Sequence, residues 1–264
     1  MDASEALRFV ALITSVGGVL SALEVLCNWS ELRLWFNQTW HLQEDGDTGV
    51  LARGRQFFYS EHYARGLIWT KLIGFLILLV SAAVSRTSGI VALTLAIAIM
   101  LDMHRRVIAF DGGEQMTLLT CWALALALLV PTPNARNLAL AFIATQVSLA
   151  YLTAGVAKLV SPYWMGNAIL GTLLNTMTYG HPLPSNFLRS HRRLDVVLSA
   201  AIGVGEVAFP VLLLSPSHVS LLSALTLGLT FHLACALFMG LNNFLFAFTA
   251  AYPAVYFAHS SLYQ

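Results

Sequence analysis

The chain has 264 residues, 58% of them hydrophobic and only 10% charged, with a mean hydropathy of +0.73. A soluble domain carries about 25% charged residues, so this composition excludes an ordinary soluble enzyme and predicts an all-α integral membrane protein. The formal net charge of +1 leaves no electrostatic footprint for nucleic acid, and Cys27, Cys121 and Cys235 stand singly in or beside apolar segments, without CxxC spacing, as small buried hydrophobes.

Acids precede the first apolar run, in Met1-Asp-Ala-Ser-Glu-Ala-Leu-Arg8, unlike the basic start of a secretory signal, so that run is expected to be a retained helix. Apolar runs lie near 6–27, 67–85, 88–103, 116–133, 137–159, 195–215, 217–239 and 243–262. A polytopic transmembrane helix bundle of seven or eight spans follows, because 88–103 is short for the roughly 20 residues that cross a bilayer. The connections 86–88, 214–217 and 240–243 are short enough for tight helical hairpins.

Two longer connections, 28–66 and 159–194, are expected to be interfacial loop and half-helix segments. The first holds Trp29, Trp35 and Trp40, the acids Glu44, Asp45 and Asp47, then Arg53 and Arg55 with Phe57, Phe58 and Tyr59; aromatics interleaved with arginines suit a membrane surface. The second holds an amphipathic half-helix over 166–177, the turn-rich Tyr179-Gly-His-Pro-Leu-Pro184, and then Arg189, His191, Arg192 and Arg193. No internal repeat is visible, and residues 1–264 read as one transmembrane domain without a large soluble C-terminal domain.

Ionisable groups inside spans cost about 2.5–3.5 kcal/mol each at a helix centre and tend to face a partner or a cavity. Glu24 lies on the stripe Gly17, Ser21, Glu24, Asn28; Glu206 lies on Ser199, Gly203, Glu206, Pro210; His232 lies on Gly228, His232, Cys235. Small residues beside each imply close helix contact. The structural reading of Lys71 is an ion pair with Glu24 or Glu206 that fixes helix register, and that of His232 is an imidazole satisfied by a neighbour. In Asp102-Met-His-Arg-Arg-Val-Ile-Ala-Phe-Asp-Gly-Gly-Glu-Gln115, the paired glycines permit a turn that brings Asp111 and Glu114 against the bundle, although a solvated loop has the same composition. The eight histidines show no metal-ligand spacing, so no metal site is expected.

The stretch Gln146 to Gly166 is the most informative. Ser148, Tyr151, Gly155 and Lys158 recur at intervals of three and four and so share one helix stripe, which ends in an ammonium. Pro162 stops the helix, and Tyr163 and Trp164 have the character of a membrane-water boundary. A lysine in this position either reaches outward to headgroups or faces the bundle interior as a base or nucleophile; the polar stripe favours the second.

The pattern Tyr151-Leu-Thr-Ala-Gly-Val-Ala-Lys158-Leu, followed by Trp164 and a glycine, resembles the membrane domain of the vitamin K-dependent gamma-glutamyl carboxylases and of their bacterial relatives, the HTTM proteins, which include the compact SdpB-like proteins of antimicrobial peptide systems. Gly205-Glu206 with Pro210, and Phe231-His232 with the glycine and phenylalanine that follow, resemble later spans of the same family. The resemblance implies that Lys158 is the general base, with Ala157 in place of the first lysine of the family's pair. It implies that Tyr151, Glu114 and His232 orient the reaction or relay protons, and that Gln146, Trp164 and Glu206 bind the cofactor. The implied cofactor is a vitamin K-type hydroquinone such as menaquinol, with molecular oxygen and carbon dioxide if the chain is a true carboxylase. The implied setting is the bacterial plasma membrane, with membrane lipid, a small secreted peptide precursor and a recognition protein as partners. Where the carboxylases have a histidine near the Gly112-Gly113 turn, this chain has Gly113 or Glu114, which weakens glutamate carboxylation more than quinone binding. The positive-inside rule makes the face holding Lys158 cytoplasmic, whereas in the eukaryotic carboxylases the working face is lumenal. A rival, non-enzymatic reading is a quinone- or lipid-binding subunit, or a peptide export or immunity component, in which the same charges lock helices.

Overall fold

The computed structural model describes residues 1–31, 50–106, 111–176 and 180–263. Trp35, Trp40, Glu44, Asp45 and Asp47 of the first interfacial segment, and Met177 and Tyr179 of the second, lie outside the described residues. In chain order the helices are α1 (Ala3–Cys27), α2 (Val50–Phe58), α3 (Glu61–Ala83), α4 (Gly89–Arg105), α5 (Gly112–Leu129), α6 (Pro133–Val160), α7 (Leu170–Leu173), α8 (Pro182–Ser190), α9 (Arg192–Leu213), α10 (His218–Met239), α11 (Asn242–Thr249) and α12 (Tyr252–Tyr263), with no strand among the described residues.

Six of these, α1, α3, α5, α6, α9 and α10, are long and apolar enough to cross a membrane. The other two expected runs are helical but differ in form. Helix α4 has only 17 residues. The run 243–262 is broken into α11 and α12, because Pro253 has no N–H to return to the carbonyl of Thr249. The Thr249 hydroxyl turns back on its own helix instead, donating to the carbonyl of Leu245 at 2.6 Å. Six apolar spans in an all-helical chain fit an integral multi-pass membrane protein.

The helix ends follow local chemistry. Ser60 caps α3 by accepting the N–H of Tyr63 at 3.2 Å, Asp111 caps α5 by accepting that of Glu114 at 2.6 Å, and Ser217 caps α10 by accepting that of Val219 at 3.2 Å. Helix α10 ends on Gly240 at φ 68°, the left-handed conformation that a glycine adopts without strain.

Backbone contacts divide the chain into two compact units, Ala3–Ala139 and Leu140–Gln264 together with Met1–Asp2. In the first, α1 lies so close to α3 that a Cβ on Gly18 would overlap the Phe75 ring, and a Cβ on Gly74 would come within 2.8 Å of Leu95 on α4. Across that contact Lys71 donates to Asp102 Oδ2 at 2.6 Å, and Arg106 bridges the same oxygen at 3.4 Å to Glu114 Oε1 at 2.6 Å. The partner of Lys71 is therefore Asp102, on a neighbouring helix and buried, rather than the expected Glu24 or Glu206; Glu24 is exposed. Burial opposes the charge on Arg106, but the carboxylates of Asp102 and Glu114 outweigh it and hold the guanidinium above its ordinary range.

In the second unit, α9 packs on α10 and α10 on α11. Helix α12 is tied to the α9–α10 turn by its polar tips: the Tyr263 hydroxyl donates to the Leu214 carbonyl at 2.6 Å, and His259 Nε2 lies 2.8 Å from that of Ser215. Among the described residues of the expected half-helix over 166–177, α7 is the one helical stretch, a single turn.

Candidate functional site: an ion pair beside an apolar cavity

On α6, Tyr151 and Gly155 are buried and Lys158 is half-buried, while Leu149, Leu152 and Val156 are exposed. The polar stripe thus faces inward and the leucine face outward, the pattern of a span with one side turned to lipid. Two glycines let α6 and α9 meet: a Cβ on Gly155 would lie 2.8 Å from Val207, and one on Gly203 would lie 3.2 Å from the Cβ of Lys158. The close approach brings Lys158 Nζ to both oxygens of Glu206, at 2.8 and 2.7 Å. Glu206 is 5% exposed and the Lys158 side chain 21%. The Trp164 ring lies with its centroid 5.4 Å from Nζ, within reach of a cation–π contact.

Glu206 also forms part of the wall of a cavity of about 550 Å³. Leu174, Phe187, Ile202 and Phe231 are among its apolar walls, and Glu206 is its one charged lining group among the described residues. Tyr151 lines it as well. The Tyr151 ring stacks on Phe209 at 4.1 Å, and its hydroxyl converges with that of Tyr252 on Gly228, where an added Cβ would collide with both.

His232 stands outside that wall. It is 1% exposed, stacked at 4.4 Å on Phe248 and edge-on to Tyr151 at 5.6 Å. The expected hydrogen-bonding neighbour is missing: neither ring nitrogen has a hydrogen-bond partner among the described residues. The imidazole is held by ring packing alone, an arrangement that leaves costly polar atoms unsatisfied.

Four of the expected site residues are therefore brought together, namely Lys158, Glu206, Tyr151 and His232, with Trp164 on the amine. Gln146 is half-buried on α6 and, like Trp164, is not part of the cavity wall. Glu114 belongs to the N-terminal unit, where it pairs with Arg106.

Asp195 was not among the expected site residues. It is 1% exposed and accepts the backbone N–H of Leu170 at 3.0 Å and of Gly171 at 2.9 Å, with the Ser199 hydroxyl donating to it at 3.1 Å. It thereby pins the turn that carries the cavity residues Leu170 and Leu174. A signal for it exists in the sequence, since Asp195 extends the stripe Ser199, Gly203, Glu206 by one more interval of four.

These features define an all-helical, multi-pass membrane protein with a buried lysine–glutamate pair at an apolar cavity. No protein-family model, curated protein or solved structure matches the chain.

Proposed function

We propose that this chain is a membrane-embedded, carboxylase-like enzyme of the HTTM class, which takes a lipid-soluble hydroquinone of the vitamin K type into the apolar cavity and removes its proton with Lys158. The observation that carries this reading is the placement of Glu206, which lines the cavity and holds the Lys158 amine at 2.7 Å. A volume of about 550 Å³ falls within the range of about 300–1,000 Å³ occupied by small-molecule sites, and its apolar walls suit a prenyl tail. When bound, a hydroquinone supplies an acidic hydroxyl proton and two electrons.

The chain's own groups have separable roles in this scheme. In its amine form Lys158 accepts a proton from the cavity side, and Glu206 holds the resulting ammonium in place. Trp164 covers that ammonium. The Tyr151 hydroxyl orients a polar head on the wall, His232 fixes the Tyr151 ring from behind, and the apolar lining keeps water from competing. The wider role we assign is modification of a small secreted peptide at the bacterial plasma membrane, with a separate protein supplying recognition. A second reading, a binding subunit for quinone or lipid without turnover, is favoured by one feature: the wall contains Glu206 but not Lys158 itself.

A photoactivatable menaquinone analogue tests the site. Cross-linking that excess menaquinone suppresses is expected on α9 and α10; labelling confined to residues 3–139 overturns the assignment.

A further inference from the structure

The segment from α8 into the start of α9 carries a basic, apolar surface that shares only Phe187 with the cavity wall. Helix α8 turns Ser185 and Leu188 inward, where the Ser185 hydroxyl donates to the Gly171 carbonyl at 3.0 Å. It leaves Leu183 and Phe187, one helical turn apart, 75% and 53% exposed, and the apolar surface continues on α9 with Val197, 63% exposed. Beside this surface stand four basic side chains within five residues, Arg189, His191, Arg192 and Arg193, all exposed. None of the three arginines has an ion-pair partner among the described residues.

No acid in the sequence from 167 to 194 offsets that charge. The next one, Asp195, is buried, and its oxygens accept the N–H groups of Leu170 and Gly171. Exposed apolar side chains next to uncompensated arginines match a layer that is hydrocarbon on one side and anionic on the other.

From this charge complementarity we infer that the α8–α9 corner is a docking surface for anionic phospholipid, with Leu183 and Phe187 set among the acyl chains and Arg189, Arg192 and Arg193 on the phosphates. The buried Asp195–Gly171–Ser185 contacts supply the rigidity, since they fix α8 to the bundle while its outer face stays open. The surface shares Phe187 with the cavity wall, but Leu183, Val197 and the three arginines lie outside that wall, so the inference needs no occupant in the cavity.

The purified full chain in zwitterionic detergent is titrated with phosphatidylglycerol or phosphatidylcholine, and the thermal unfolding midpoint is followed. Each basic side chain near an anionic surface contributes about fivefold in affinity, so Arg189→Gln/Arg192→Gln/Arg193→Gln is expected to weaken the phosphatidylglycerol response on the order of a hundredfold. Phosphatidylcholine is expected to give no difference between the two proteins, and a matched loss of three charges outside both interfacial segments, Arg8→Gln/Arg86→Gln/Arg136→Gln, is expected to leave the response close to native. An equal loss in that second variant would reduce the effect to diffuse charge and overturn the site. An equal response to inorganic phosphate alone would overturn the lipid, and an unchanged response in the first variant would overturn both.

Discussion

Glu206→Leu is expected to destabilise the protein by about 3 kcal/mol, because it strands the Lys158 ammonium on a mostly buried helix face without its partner. The estimate sits at the low end of the range for breaking a buried pair, since the Lys158 side chain keeps 21% of its exposure and some access to water. The physics is asymmetric. A buried ion pair contributes little net stability over a well-packed apolar pair, but removing one member leaves the other's desolvation uncompensated. The double variant Lys158→Met/Glu206→Leu should therefore recover most of the lost stability. Thermal unfolding of the three proteins in one detergent checks this, and a double variant no more stable than Glu206→Leu would contradict the pairing.

Gly205→Trp is expected to abolish ligand binding while leaving the fold intact. Gly205 lines the cavity, and the nearest atoms a Cβ there would meet belong to Leu227, at 3.6 Å or beyond, which is ordinary van der Waals contact. The indole therefore has room to enter the cavity and take the place of a bound tail. Excluding one five-carbon prenyl unit forfeits about 4 kcal/mol of apolar burial, or roughly a thousandfold in affinity. Equilibrium binding of a short-tailed menaquinone to native and variant protein measures it; native-like affinity would place the ligand elsewhere.

The sequence carries the long spans plainly, because an apolar run of span length is a local feature. It also carries which face of α6 and α9 turns inward, since Gly155, Lys158, Gly203 and Glu206 repeat at helical spacing. What one stripe cannot specify is its partner. Lys71 meets Asp102, in a stretch whose composition also fits a solvated loop, rather than Glu24 or Glu206, because cross-helix pairing depends on helix order and depth rather than on spacing. The break at 250–251 was hidden by unbroken apolarity, and only the missing N–H of Pro253 marks it. The environment of His232 was equally hidden: its packing partner Phe248 lies beyond the Gly240 turn on a different helix, and no periodicity links the two.

The central claim is that the Lys158 amine takes a proton from a ligand in the adjacent cavity, and quinol oxidation by purified native and Lys158→Ala protein tests it most directly, with folding of both checked by thermal unfolding. Loss of a positioned base is expected to lower turnover by about 10²–10⁴-fold while quinol binding persists. Equal turnover by the two folded proteins would contradict the claim.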